Sequence, residues 1–258
     1  MNFKHLTERL MKTLFIFIAL HFCLLTTQAH AFTFNETQSA STDGAGSTLV
    51  FPAFDLAAGS LVVGGVKWEK SAGTPTISTV TDTAGNTYVL LARKDNSGAP
   101  NGDPKVQQFY CLFSIANASN VITVTFSDAN PTFKRGRIVE ELTTGATFDV
   151  EASGEATSGM APVTGAFSTV NAAEYVFAML GGFTSETFSS PLIGGNAATF
   201  RGASTAVDST AFDYITASQI SSGTAGATMS VSNRWTIVSA AFKEAVVGGR
   251  RRPPIIFQ

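Results

Sequence analysis

Outside its first 31 residues the chain has no histidine: His5, His21 and His30 are the whole complement of 3. There are 2 cysteines, Cys23 and Cys111, and only Cys111 lies beyond that segment. Residues 32–258 therefore cannot carry Ser-His-Asp or Cys-His catalysis, nor a zinc site built from His and Cys ligands. Charge is scarce too, at 14% of residues where about 25% is usual. The balance of 17 Lys and Arg against 19 Asp and Glu leaves no basic footprint for nucleic acid. Only 2 Trp and 4 Tyr stand beside 21 Phe, so hydrogen-bonding aromatic edges are few. The apolar run Leu14–Leu25 is 12 residues long, short of the roughly 20 a membrane-spanning helix needs. Nucleotide motifs are missing: Gly44-Ala45-Gly46 lacks a third glycine, and no Walker sequence occurs. Gly202-Ala203-Ser204-Thr205-Ala206 half matches a nucleophile elbow but has no histidine to serve it.

What is present begins with an export signal. Lys4, Arg9 and Lys12 precede the apolar run, and Ala29-His30-Ala31 follows it with small residues flanking a cleavage point. Residues 1–31 are expected to be a cleaved signal peptide, with Met11 as an alternative start and Phe32 as the mature N-terminus. Phe22 precedes Cys23, where lipid attachment requires a small residue. The expected location is secreted, periplasmic or cell-surface. Removing the leader takes away Lys4, Arg9, Lys12 and Glu8, which leaves a net charge of about −4.

From Phe32 to Phe242 the pattern is strand-like, with period-two alternation broken by Gly, Asn, Asp and Pro clusters. In Val121–Phe126, Ile122, Val124 and Phe126 should face a core while Val121, Thr123 and Thr125 face out. Leu61-Val62-Val63 and Tyr175–Leu180 are apolar on both faces, as expected of strands covered on each side. Asp82-Thr83-Ala84-Gly85-Asn86 reads as a hairpin turn between Ser78–Thr81 and Thr87–Leu91, with Gly-Asn at positive φ. Cys111 alternates with Phe109, Phe113 and Ile115, which predicts a small buried hydrophobe rather than an intermolecular disulfide.

The chain also repeats itself. Ala53-Phe54 with Leu61-Val62-Val63 matches Ala166-Phe167 with Tyr175-Val176-Phe177. Phe109-Tyr110-Cys111 with Val121–Phe126 is echoed by Phe212-Asp213-Tyr214 with Ala227–Val231, and Arg137–Glu141 by Trp235–Ala240 if Ile138 is set against Ile237. The expected fold is all-β: a two-sheet antiparallel sandwich, jelly-roll-like, in one domain spanning 32–245. Its half-repeats, about 47–145 and 157–243, share one core, and residues 246–258 form a flexible basic, Pro-containing tail.

Gly59–Val63, the run Ser78–Tyr88, Phe148–Gly154 and the closing strand Trp235–Lys243 together resemble a β-sandwich module of bacterial and phage surface proteins. The resemblance covers most of residues 45–245 and rests on turns and strands. It implies a sandwich and a surface location, and no activity.

Paired carboxylates are the remaining catalytic chemistry. Asp149-Val150-Glu151 sets two acids on one strand face, the i, i+2 spacing a retaining glycosidase needs, though Gly145 and Gly154 bracket the segment as a connection. Glu140 lies between Ile138 and Leu142 and is expected to pair with Lys134, Arg135 or Arg137 at a strand end, or to reach solvent at the sheet edge. The loop Asp95–Pro104, including Asp103, concentrates oxygen ligands suited to calcium, but its spacing is not that of an EF-hand and its residues also make ordinary turns. Of the aromatics that might stack on sugars (Trp68, Tyr88, Tyr214 and Trp235), Trp235 reads as core and Trp68 as the one reaching a surface. Arg250-Arg251-Arg252-Pro253-Pro254-Ile255-Ile256-Phe257-Gln258 could touch an anionic surface or dock in a partner's groove. These residues single out no catalytic group, metal or cofactor. The expected function is an exported, non-catalytic surface or secreted module whose partner is a glycan or another surface protein, for adhesion or assembly. The alternative is a carboxylate-dependent glycan-active enzyme using Glu140, Asp149 and Glu151.

Overall fold

The computed structural model describes residues 32–70, 74–96, 103–143, 145–183, 186–201 and 208–245. All of them belong to one compact unit, and among them there is no helix. The first half of the chain forms β1 (Phe32–Thr42), β2 (Thr48–Val50), β3 (Phe54–Leu56), β4 (Leu61–Lys70), β5 (Ile77–Asp82), β6 (Val89–Leu90), β7 (Lys94–Asp95), β8 (Lys105–Cys111), β9 (Asn117–Asn120), β10 (Ile122–Phe126) and β11 (Pro131–Thr143). The second half forms β12 (Ala146–Ala156), β13 (Tyr175–Gly182), β14 (Phe188–Ile193), β15 (Asn196–Ala197), β16 (Thr199–Arg201), β17 (Ser209–Ile215), β18 (Ala225–Met229) and β19 (Trp235–Glu244).

Every pairing is antiparallel. One large sheet has the order β1-β11-β4-β8-β6, with β7 also on β8; the other has β12-β19-β13-β17-β16. Two three-stranded sheets, β2-β10-β5 and β15-β14-β18, and the β3-β9 pair complete the fold. Three apolar clusters hold these layers together. The first joins the β2-β10-β5 sheet (Leu49, Val80, Val124) to one face of the first large sheet (Val62, Trp68, Phe109). The third does the same in the second half, through Phe188, Ala225 and Met229 against Val176, Leu180 and Ile237. The second cluster lies between the two large sheets, where Val63, Val106 and Val139 meet Phe177, Met179 and Val238. The protein is thus a four-layer stack. Both Leu61–Val63 and Tyr175–Leu180 are fully buried because each large sheet is covered on both faces.

The sandwich character agrees with the sequence, but the core does not divide as expected. Each half closes a core of its own, and a third core cements them. Close approach in the middle layer depends on missing side chains: a Cβ on Gly65 would lie 2.7 Å from Met179 Cβ, and one on Gly181 2.5 Å from Lys67 Cγ. The halves also share their irregularities. A bulge interrupts β1 between Phe34 and Glu36 and β12 between Phe148 and Val150, each against the neighbouring long strand. Following the register through both sheets sets Val139 against Ala240, hence Ile138 against Ser239 rather than Ile237. That two-residue slip keeps every side chain on its face, so alternation alone could not reveal it.

The hairpin expected at Asp82–Asn86 is not one. The strand before it, β5, pairs with β10, while β6 crosses to β8 in the large sheet. Only Gly85 of the Gly-Asn pair has positive φ, +80°. The Asp82 carboxylate fixes this crossover by accepting from Asn86 N at 2.9 Å, Asn86 Nδ2 at 2.7 Å, Tyr88 Oη at 2.9 Å and Asn120 Nδ2 at 3.1 Å. Burial alone would raise its pKa, but these donors outweigh it and hold the carboxyl below the usual range. The second half has a true hairpin at the equivalent place: Gly194 and Gly195, at φ 58° and 81°, turn β14 into β15.

Candidate functional site

The carboxylates that sequence spacing grouped are separated by the fold. Glu140 is buried and accepts from Asn35 Nδ2 at 2.8 Å, Ala57 N at 2.8 Å and Ser60 Oγ at 2.7 Å. None of the expected cations reaches it. Lys134 Nζ instead donates to the carbonyls of Gly44, Gly46 and Pro131, and Arg135 pairs with Asp43 and Asp208. Asp149 is the bulged residue of β12, so it and Glu151 do not share a face as plain alternation requires. Asp149 takes a 3.0 Å ion pair from Lys243 and a hydrogen bond from Val170 N. Glu151 instead lines a cleft of about 330 Å³ with Leu91, Gln108 and Ser239, and accepts from Ala92 N.

Sequence reading missed the ionic groups buried between the two large sheets. Lys67 is fully buried, with Nζ 2.6 Å from Glu69 and 2.5 Å from Asp208, and Arg135 Nε stands 3.2 Å from the same Asp208. Burial raises the Glu69 pKa, with Lys67 opposing it. Further along the interface Asp213 accepts from Arg201 Nε at 2.6 Å and Tyr175 Oη at 3.0 Å, and Arg201 lies over the Phe34 ring. Beside them Glu141 is fully buried, and neither carboxylate oxygen has a hydrogen-bond partner. Desolvation, with repulsion from Asp213 and only partial relief from Arg201, pushes its pKa up to about 8. Glu174 also rises, to about 7, through burial and then the nearby Asp149, against a hydrogen bond from Asn171 N. The only sequence signal for these groups is a charged residue inside an apolar alternation, and Lys67, Glu69, Glu141 and Asp213 all have it.

The other candidates are structural. Trp68, expected at the surface, is wholly buried and packs edge-on against Phe126 at 5.3 Å, because alternation along β4 turns it toward the first core. Trp235 is buried, and Tyr88 and Tyr214 are half-buried. Most of the Asp95–Pro104 loop, residues 97–102, falls outside the described residues. At its ends Asp95 pairs with Arg93 at 2.7 Å and the buried Asp103 with Arg234 at 2.9 Å. Among the described residues no three carboxylate, imidazole or thiol groups converge to hold a metal ion. Cys111 is buried and free, its pKa raised mainly by desolvation. Phe113 and Ile115, expected on its buried face, lie past the end of β8 and are 60% and 55% exposed.

Those two side chains mark the candidate site. Together with Val89, 44% exposed, they rim a groove of about 330 Å³ walled by Asn86, Tyr110 and Leu112. Its frame is rigid. Asn86 Oδ1 accepts from Ile115 N at 2.7 Å, and the Tyr110 ring stacks on Phe148 at 5.7 Å. Aliphatic and aromatic surface exposed to water in this way favours an apolar contact. Set against known protein families, curated proteins and solved structures, the chain matches none of them.

Proposed function

We propose that the protein is an exported, non-catalytic β-sandwich module that works by binding another protein surface or by assembly, with the groove at Val89, Phe113 and Ile115 as its contact face. The carrying observation is the exposure of these three large apolar side chains around one cavity. Exposed apolar surface rimmed by polar residues is a mark of protein-contact sites. A glycan site would use aromatic platforms, and here both tryptophans are spent on cores. The carboxylate-dependent alternative loses its geometry, since Glu140, Asp149 and Glu151 each answer to different partners.

The test is light scattering across a range of concentrations for the chain from Phe32, alongside Phe113→Ser and Ile115→Ser, with pull-down against the producing cell's envelope proteins. Self-association or specific capture that both substitutions remove supports the reading. Specific binding on a glycan array, repeated with calcium and with chelator, would overturn it in favour of a sugar-recognition module.

A further inference from the structure

The basic tail at 246–258 lies outside the described residues. Within the described fold, the cleft of about 330 Å³ lined by Glu151 shares no lining residue with the groove at Val89. It lies beside β6 and β12, the edge strands of the two large sheets. Leu91 and Ala92 just beyond β6, Gln108 on β8, Glu151 on β12 and Val238 on β19 line it. Gln108 is 1% exposed. Its Nε2 donates to Phe177 O at 3.1 Å and Val238 O at 3.3 Å, across the gap to the second large sheet. Those two carbonyls take both amide hydrogens and so fix which way the side chain is turned. Oε1 is left on the opposite arm, buried and without a hydrogen-bond partner. A buried acceptor with no donor is rare in a native fold, and here it belongs to a residue that lines a cavity.

Charge narrows what could supply the donor. Glu151 is exposed and is the only ionisable residue lining the cleft. Its Oε2 accepts from Ala92 N at 3.2 Å, and among the described residues it makes no ion pair. The nearby cations Arg93 and Lys94 are taken by Asp95 at 2.7 Å and Glu155 at 3.1 Å. An anion would be repelled, and no second carboxylate lines the cleft to share a metal ion. An alkylammonium has what the cleft lacks. It brings a positive charge for Glu151, N–H donors for Gln108 Oε1, and a methylene chain to lie against Leu91, Ala166 and Val238.

We propose that this cleft binds a primary alkylammonium group, carried by a small amine or by a lysine side chain, with Glu151 as charge partner and Gln108 as buried acceptor. The site is independent of the apolar groove and stands or falls without it. A single carboxylate open to solvent makes a weak ion pair, so the affinity is of the order of millimolar.

The experiment is an NMR titration of the chain from Phe32 at pH 7 and constant ionic strength, following the Gln108 side-chain amide and the Ala92 N–H. The probes are n-butylammonium, N-acetyl-lysine amide, n-butanol and butyrate. Glu151→Gln is the variant, because it lies on the surface and keeps an acceptor for Ala92 N. Saturable shifts of both signals with n-butylammonium are expected, with none from n-butanol or butyrate and roughly fivefold weaker binding in Glu151→Gln. N-acetyl-lysine amide separates the two sources: tighter binding than n-butylammonium assigns the site to a partner's lysine, weaker binding to a free amine. The absence of any saturable shift, the result if only water fills the cleft, overturns the inference. Equal shifts with n-butanol, or affinity unchanged in Glu151→Gln, overturn it too.

Discussion

Replacing Glu141 by glutamine should abolish most of one pH dependence of stability. The carboxyl is buried between the large sheets with no hydrogen-bond partner, and its pKa rises from 4.5 to about 8. Below pH 4.5 the side chain is protonated in folded and unfolded chains alike, and its favourable contribution is fully present. As pH rises the unfolded chain releases the proton first, so folding weakens by about 1.4 kcal/mol per pH unit until the folded group also ionises near 8. The loss is roughly 3 kcal/mol at pH 7 and about 5 kcal/mol above pH 8. Glutamine mimics the neutral acid in shape and does not titrate. Urea unfolding midpoints at pH 5, 6, 7, 8 and 9 should therefore show Glu141→Gln gaining on the natural chain steadily from pH 5 to 8, then levelling off. Glu174, Glu69 and Asp213 also have raised pKa values, but they are present in both proteins and largely cancel in the difference. Stability curves that stay parallel across this range would refute the argument.

Lys67→Met should destabilise the chain by about 3–5 kcal/mol in the same urea assay at pH 7, since it strands Glu69 and leaves Asp208 only Arg135 as a cation; Lys67→Met combined with Glu69→Gln should recover much of that loss. Cys111 should resist a bulky thiol reagent in the native protein and react at full stoichiometry in denaturant, because burial both blocks access and disfavours the thiolate. Rapid native labelling of Cys111 would count against the tight closure of the first core.

Alternation carried much of the fold. Ile122, Val124 and Phe126 face the core, while Thr123 and Thr125 are only half-buried, as the sequence pattern requires. The two-sided apolarity of Tyr175–Leu180 announced a doubly covered sheet. What alternation cannot encode is how many layers cover it, so one shared core was expected where three exist. Nor does it register a bulge, which is why Asp149 and Glu151 read as facing together when they do not. The Asp82 turn was misread because its residues suit a hairpin and a crossover equally; the choice is made by Asn120 and Tyr88, distant or half-buried partners that hold the carboxylate. The groove was the least legible feature. Phe113 and Ile115 continue the spacing of Phe109 and Cys111, and only the end of β8 at Cys111 takes them out of the core.

The layered arrangement decides where this molecule can tolerate change. Its two inner sheets meet side chains on both faces, so substitutions along β4, β13 or β19 disturb two cores at once. Among the described residues the outer faces of the three-stranded sheets carry hydroxyls: Ser78, Thr79, Ser189 and Thr228 are exposed, and Thr123 and Thr125 half-buried. Sequence drift without loss of fold is therefore channelled to those two outer walls and to the rims where strands end. New binding surfaces can be tried there at small thermodynamic risk, while the central pair of sheets stays fixed as the keel.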